Sequence, residues 1–540
     1  MVIKYRSLRF AAVCCCVLAV VIFFWGWLSA GAASVFTALL TAGFAAFIRS
    51  AKEDDGEKQS VKISGKCIIA LLVISLVWCW LAGQGHFFQQ SSDHVYRNAI
   101  FHDLIKKPWP VVYENGSLLS YYIAHWMPPA LVGKIVYLIS GSVFAGYLTG
   151  NIALLLWSAF GCFIVLLLAV LLTSAKGRNH VIIAALMFVF FSGLDWLGTE
   201  ITGHTSSLGI HYEWWAEFAQ FSSVTTCLFW VFNQAIIPWM ITMCIINEKS
   251  VKNLAFLGIL AFPFGPFPFV GIVFMCLVKG VCIAVKERKQ LSGVVKNAFS
   301  VQNIAAVISV FLPFALYFTS NVMLSSGSTS GGGGSSAAST GFRLHHLLTD
   351  ASADYAGFFG KYLLFMLLEV GVYLILMHKR IHRNPFFICS MIGLAVTPLF
   401  QIGTAYDFAM RVSIPMLTYM AVEFISMVME MLPEKIPMFS VKGIAAAIQK
   451  MIDEKSILKN LRKNLLLILS AAVFIIGAVN AKTEFEREIL QTFISGFPNP
   501  SVEYYYQESL EDFKTVGNFT AKNYTESNFY KYICKKQNGG

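Results

Sequence analysis

Charge is scarce in this sequence: Asp, Glu, Lys and Arg make up 13% of its 540 residues, about half the usual share in soluble domains. With 56% hydrophobic residues and a mean hydropathy of +0.64, the chain has too little polar surface to cover a water-soluble core. Soluble enzymes, secreted disulfide scaffolds and disordered binders are therefore excluded. The sequence also lacks a Walker loop, a GxGxxG turn and a GxSxG elbow, which removes the usual signals of nucleotide binding and serine hydrolysis. No CxxC pair and no Cys/His metal spacing occurs. Most of the 12 cysteines, among them Cys14, Cys15, Cys16, Cys79 and Cys162, lie in apolar runs, where they act as small hydrophobes. Cys67 begins such a run and Cys534 stands alone near the end, so no disulfide framework is expected.

What is present is a series of apolar runs long enough to cross a bilayer. They fall near residues 10–30, 33–48, 67–84, 152–173, 181–197, 222–247, 254–264, 268–285, 302–320, 357–378, 385–403, 412–430 and 464–481. This pattern predicts an all-α polytopic membrane protein of about 13 transmembrane helices, with outer-face juxtamembrane helices. An N-terminal hairpin and loop (1–66) precede a transmembrane core (67–481) with outer loops 85–151, 195–221 and 321–356; a polar tail (482–540) follows. Residues 10–30 read as a retained anchor, because a second apolar run follows at once. With Lys4, Arg6 and Arg9 inside, the inner loops collect most of the basic residues. The positive-inside rule then predicts a multi-pass protein of the cell membrane, N-terminus cytoplasmic and C-terminus extracytoplasmic. The net charge of +11 marks orientation, and no nucleic-acid partner is expected. Residues 118–149 are read as an outer amphipathic segment, since a span there would invert every later loop. Pro263, Pro266 and Pro268 around Gly265 predict a hairpin turn, and 431–463 reads as an amphipathic surface helix.

The inner loops are short and basic, so function is expected on the outer face. Asp93 opens a helical pattern running to Ile105. It is either an N-cap or a catalytic carboxylate held at the membrane surface. Asp195 ends the fifth apolar run, as a boundary marker or as a second carboxylate at the same depth. Glu213 and Glu217 beside Trp214 and Trp215 resemble a sugar-binding surface, although an interfacial aromatic belt also accounts for the tryptophans. Tyr406, Asp407 and Arg411 share a short outer turn. Arg411 pairs either with Asp407 at i,i+4 or with a lipid-linked phosphate, which a planar five-donor guanidinium suits. His94, Asp103, Lys106, Lys107, His125 and Lys134 populate the first loop; Lys106, Lys107, His125 and Lys134 are secondary phosphate candidates or a solvated face. The stretch SSGSTSGGGGSSAAST at 325–340 is too low in complexity to pack, and serves as a tether or as a gate that brings Arg343 and His345 to the site. His345 and His346 have no second ligand set for a metal.

This constellation resembles the GT-C superfamily of integral-membrane glycosyltransferases, which includes protein O-mannosyltransferases, oligosaccharyltransferases and lipid A aminoarabinose transferases. The likeness covers the plan of residues 67–430 rather than a continuous match. Asp93 matches the family's acidic catalytic residue in a long first outer loop, and YYIAHWMPPALVGK resembles its Tyr/Pro-rich continuation. Asp195 resembles a second acidic residue at the end of a span. Arg411 with Pro415 resembles the contact to polyprenyl phosphate. The first loop departs from the family in lacking a DE or DxD pair, because His94 follows Asp93; the cofactor is left unknown, and a divalent cation is compatible with the resemblance. The large soluble C-terminal domain of some members is absent.

The resemblance implies transfer of a sugar from a polyprenyl-phosphate donor to an extracytoplasmic glycan, lipid or protein acceptor, with a membrane lipid as carrier. Such a donor already has a good leaving group. Transfer needs a carboxylate base for the acceptor hydroxyl and cations for the departing phosphate, roles that fit Asp93 and Arg411; Asp195 and Glu213 are assigned to acceptor or metal contact. The alternatives are a polytopic transporter or lipid flippase and a non-catalytic envelope assembly protein. A transporter is expected to carry internal repeats and ionisable groups near the midplane, whereas here carboxylates gather at the outer boundary.

Overall fold

The computed structural model describes residues 1–53, 59–91, 93–173, 175–203, 211–325, 342–344, 355–402, 407–433, 457–495, 509–513 and 517–536. Among the described residues nine helices are long and apolar enough to cross a membrane. These are α1 (Tyr5–Trp27), α2 (Ala30–Ser50), α6 (Val143–Leu172), α9 (Val224–Asn247), α11 (Pro266–Lys286), α12 (Val301–Asn321), α13 (Gly357–Ile381), α16 (Ile414–Met431) and α17 (Lys463–Ile494). Four shorter apolar helices, α3 (Gly65–Leu81), α7 (Gly177–Val189), α10 (Val251–Phe264) and α14 (Pro385–Leu399), fall on the other apolar runs of the sequence. The protein is an all-α membrane protein. Helices α4 (His94–Lys106), α5 (Met127–Ser140), α8 (Asp195–Thr202) and α15 (Asp407–Val412) lie between them.

Local chemistry sets the ends of these helices. Ser64, Ser142 and Ser223 cap α3, α6 and α9, each accepting a backbone N–H with its side chain and so filling one of the orphan donors of a helix start. Asn384 does the same for α14, with Pro385 following it. Gly141 ends α5 at φ 66°, a left-handed conformation that side chains disfavour. The expected turn at Gly265 is present: α10 and α11 meet there as a hairpin, and α10 is the short arm.

Residues 118–149 differ from the single outer segment expected. They divide into β3 (Leu118–Leu119), a helical turn (Ala124–Trp126), α5, and the opening of α6, which starts at Val143 rather than near 152. Helix α5 has 14 residues and is about 21 Å long. Small residues let it lie directly on α6: a Cβ on Gly133 would stand 2.7 Å from the Gly146 carbonyl and 3.0 Å from Gly150 Cα. The free side of α5 bears Leu138 and Ile139, both well exposed.

The bundle has two distinct ends. At one, β1 (Val2–Lys4) pairs antiparallel with β2 (Ser60–Lys62), Arg9 pairs with Glu248 at 2.5 Å, and Ser50 donates to Asn253 at 2.8 Å. At the other lie the long loops and the tail. β6 (Thr520–Ala521) pairs with β3, the Lys535 amide donates to the Trp27 carbonyl, and the Ser29 amide donates to the Ile533 carbonyl. β5 (Phe400–Ile402) pairs with β4 (Phe342–Leu344) beside α15. The tail thus docks as a small cap, after a last helix that continues as far as Ser495. The segments expected at 325–340 and 431–463 lie wholly or mostly outside the described residues, as do His345 and His346.

Candidate functional site

Two groups of polar side chains gather at the loop-rich end. The first is built on the start of α4. Buried Ala99, Ile100, Leu104 and Ile105 seat this helix on the bundle, and His94 ties its first turn to the Phe229 carbonyl on α9 at 2.8 Å. Burial pushes the His94 imidazole down to about 3, so it is neutral and not a phosphate-binding cation. Asp93 does not cap the helix; no side-chain cap hydrogen bond is made there. Its carboxylate, 48% exposed, pairs instead with Arg97 at 3.0 Å, whose side chain is only 5% exposed.

Arg411 on α15 repeats this arrangement. Its guanidinium, 9% exposed, pairs with the half-exposed carboxylate of Asp407 at 2.7 Å, the i,i+4 partnership that the sequence offered as one of two readings. Near both pairs are Tyr121 and Tyr122, whose hydroxyls are hydrogen-bonded to each other. Both tyrosines lie within electrostatic reach of both Arg97 and Arg411. Tyr317 on α12 fixes this strand, accepting from the Tyr121 amide at 3.1 Å and donating to the Leu119 carbonyl at 3.0 Å. Phe519 of the tail packs against Tyr121 and Tyr96, closing the wall.

The second group is deeper. Glu213 is wholly buried and accepts from Gln220 Nε2 and Ser222 Oγ, both at 2.6 Å, from Asn480 Nδ2 at 2.7 Å and from the Ser223 amide at 2.8 Å. Asn480 on α17 also donates to Asp195, which accepts from Ser192 Oγ at 2.9 Å. Glu369, midway along α13 where its bonding widens to a π-helical turn, accepts from Trp215 Nε1 at 3.1 Å. Among the described residues no Lys or Arg pairs with Asp195, Glu213 or Glu369. Cys227 links the two groups, within electrostatic reach of both Glu213 and Arg411.

The chain matches no family model, no curated protein and no solved structure.

Several sequence candidates thus take on different work. Lys106 and Lys107 close the far end of α4, about 20 Å from Asp93 by helix rise. Lys107 pairs with Glu511 of the tail at 2.6 Å, so this end of the helix holds the tail rather than the ground near Arg411. Asp103 likewise accepts from Ser509 and Leu510, and Lys134 donates to the carbonyl of Ile105 that α4 leaves open. His125 contacts Ser158. Trp215 is buried and Trp214 donates to Gln220 at 3.0 Å, so these rings brace the loop instead of forming an open sugar platform. Asp195 and Glu213 are likewise enclosed, not on an acceptor surface. Tyr406 lies outside the described residues. Among the described residues no group of three or more His, Cys, Asp or Glu is arranged to hold a metal ion.

Arg97, Glu369 and Asn480 escaped the sequence reading, though signals for the first two were there. Arg97 follows Asp93 by four, as Arg411 follows Asp407. Glu369 is a lone acid inside the apolar run LLFMLLEVGVYLIL, and a buried acid in a span usually has a function.

Proposed function

We propose that this protein is a GT-C-type membrane glycosyltransferase, with thirteen spans, a cytoplasmic N-terminus and its site on the extracytoplasmic face. It moves a sugar from a polyprenyl phosphate to an envelope acceptor. The observation that carries this reading is the meeting of two Asp–Arg pairs around Tyr121 and Tyr122, joining residues more than 300 positions apart in sequence. In this scheme Asp93, the more accessible member of its pair, takes the acceptor hydroxyl proton, and Arg411 holds the donor phosphate. The N-terminal end of α4 adds a favourable dipole for an anion.

The decisive experiment is a transfer and hydrolysis assay of purified protein against a panel of polyprenyl-phosphate sugars, with Asp93→Asn alongside. Release of sugar by wild type, at least about a hundredfold reduced in the variant, supports donor class and base together; equal release removes Asp93 from the chemistry.

A transporter or flippase is the second reading, and one observation favours it. Helix α9 breaks at Val231 (φ −140°, ψ 36°), above Pro238, and Asn233 and Gln234 between them are fully buried without hydrogen-bond partners among the described residues. Interrupted helices with polar groups at mid-depth mark transport sites. Silence with every donor, together with absent donor binding, favours transport or a non-catalytic assembly role.

A further inference from the structure

Charge bookkeeping across the two Asp–Arg pairs leads beyond the assignment of one base and one cation. In the transfer proposed above, the acceptor oxygen forms a bond to the anomeric carbon. The bond from that carbon to the phosphate oxygen breaks, and its electron pair leaves with the phosphate. The acceptor proton goes to the Asp93 carboxylate. The donor diester carries one negative charge and the released monoester up to two, while Asp93 passes from one to none. The negative charge lost at Asp93 is thus the charge gained at the lipid phosphate.

Arg97 sits where it can follow that charge. Its Nη2 is held by Asp93 at 3.0 Å, whereas its Nη1 has no hydrogen-bond partner among the described residues and is shut away from solvent. A buried guanidinium N–H without an acceptor is costly. Tyr121 and Tyr122 stand within electrostatic reach of this guanidinium and of Arg411 alike, so an anion beside the tyrosine hydroxyls faces two arginines. One positive charge matches the diester and two match the monoester, and an interaction that strengthens as charge develops lowers the barrier instead of merely binding the substrate.

We infer that Arg97 is a second phosphate-contacting residue, one that exchanges Asp93 for the lipid phosphate as the sugar leaves. This rests on the lipid-phosphate reading of the site. Arg411 binds donor and product alike; Arg97 is selective for the product and for the charge that precedes it. The device also keeps Asp93 engaged until a phosphate arrives to take its partner.

The test uses two probes that differ by one charge, a polyprenyl phosphomonoester and its methyl diester, in equilibrium binding to the purified full chain in detergent. Arg97→Gln is expected to weaken the monoester about 10–100-fold and the diester less than about threefold, with Arg97→Lys intermediate. Arg411→Gln is expected to weaken both. Loss of the two probes in equal measure in Arg97→Gln, or of neither, overturns the exchange. If Arg97→Gln does not fold, Arg97→Lys and the charge-neutral double variant Asp93→Asn/Arg97→Gln carry the comparison, and loss of the two probes in equal measure in both variants overturns it as well. Failure of wild type to bind either probe overturns the lipid-phosphate reading itself, an outcome distinct from failure of the exchange.

Discussion

Asp103 accepts a hydrogen bond from Ser509 at 2.7 Å, tying the tail to the helix that begins beside Asp93. Burial pushes the Asp103 carboxyl up to about 6, against the pull of the Leu510 amide, the Ser509 hydroxyl and Lys107. The folded protein therefore holds a proton on Asp103 that an unfolded chain gives up, so this group's contribution to stability is present below the ordinary aspartate value and is lost as pH rises through about 6. Glu511, which burial pushes up but Lys107 and the Glu114 amide pull further down, acts in the opposite sense only below the ordinary glutamate value, outside the interval from pH 5 to pH 8. Proteolysis through the unfolded state is expected to be several-fold slower at pH 5 than at pH 8. Asp103→Asn should flatten that profile, and faster cutting at pH 5 in wild type would contradict it.

Arg411→Ala should weaken donor binding by about 1.5–3 kcal/mol, the worth of a charged hydrogen bond, which is roughly 10–100-fold in Kd. Titration with a polyprenyl-phosphate sugar checks this. An unchanged Kd leaves Arg411 as a partner of Asp407 alone.

Gly193→Ala should destabilise the deeper polar group. A Cβ there would overlap the Glu369 carboxylate, forcing it off Trp215 and leaving a buried acid without its donor, at a cost of about 2 kcal/mol or more. Thermal unfolding followed through tryptophan fluorescence reads the loss; a melting temperature equal to wild type would show that Glu369 has room to move.

The Arg9–Glu248 pair lies at the opposite end, with side chains 2% and 0% exposed. Replacing only one partner, as in Glu248→Gln, should cost about 3–5 kcal/mol because it takes the paired carboxylate from a buried guanidinium. The double variant Arg9→Met/Glu248→Leu should recover most of that in a double-mutant cycle. Additive losses would show that the two residues do not act as a pair.

The fold was legible in the sequence to the extent that apolar length is local information. Each expected run corresponds to an apolar helix, and the hairpin at Gly265 follows from three prolines that cannot sit inside one continuous helix. The start of α6 was read too late because Val143–Gly150 is itself apolar; the stop at Gly141 and the cap at Ser142 mark the break, and the packing of Gly133 on Gly146 shows how the two helices then meet. In the site, Asp93 and Arg411 could be singled out by their position at span boundaries. Their meeting around Tyr121 and Tyr122 depends on α4 and α15 arriving from distant parts of the chain, which periodicity cannot report. Trp214 and Trp215 misled for a related reason: tryptophan near a membrane surface reads alike whether its ring faces lipid, a sugar or, as for Trp215, a buried glutamate.

The bridge from Cys534 to Leu28 and the hydrogen bond from the Lys535 amide to the Trp27 carbonyl set an order on biogenesis. The Trp27 end of α1 is completed by residues that leave the ribosome some five hundred positions later. Until they arrive, β3 lacks its partner and the Tyr121 wall lacks Phe519. A nascent chain therefore carries Arg97 and Arg411 before the wall beside them is complete, and chains truncated ahead of residue 519 should insert yet remain inert.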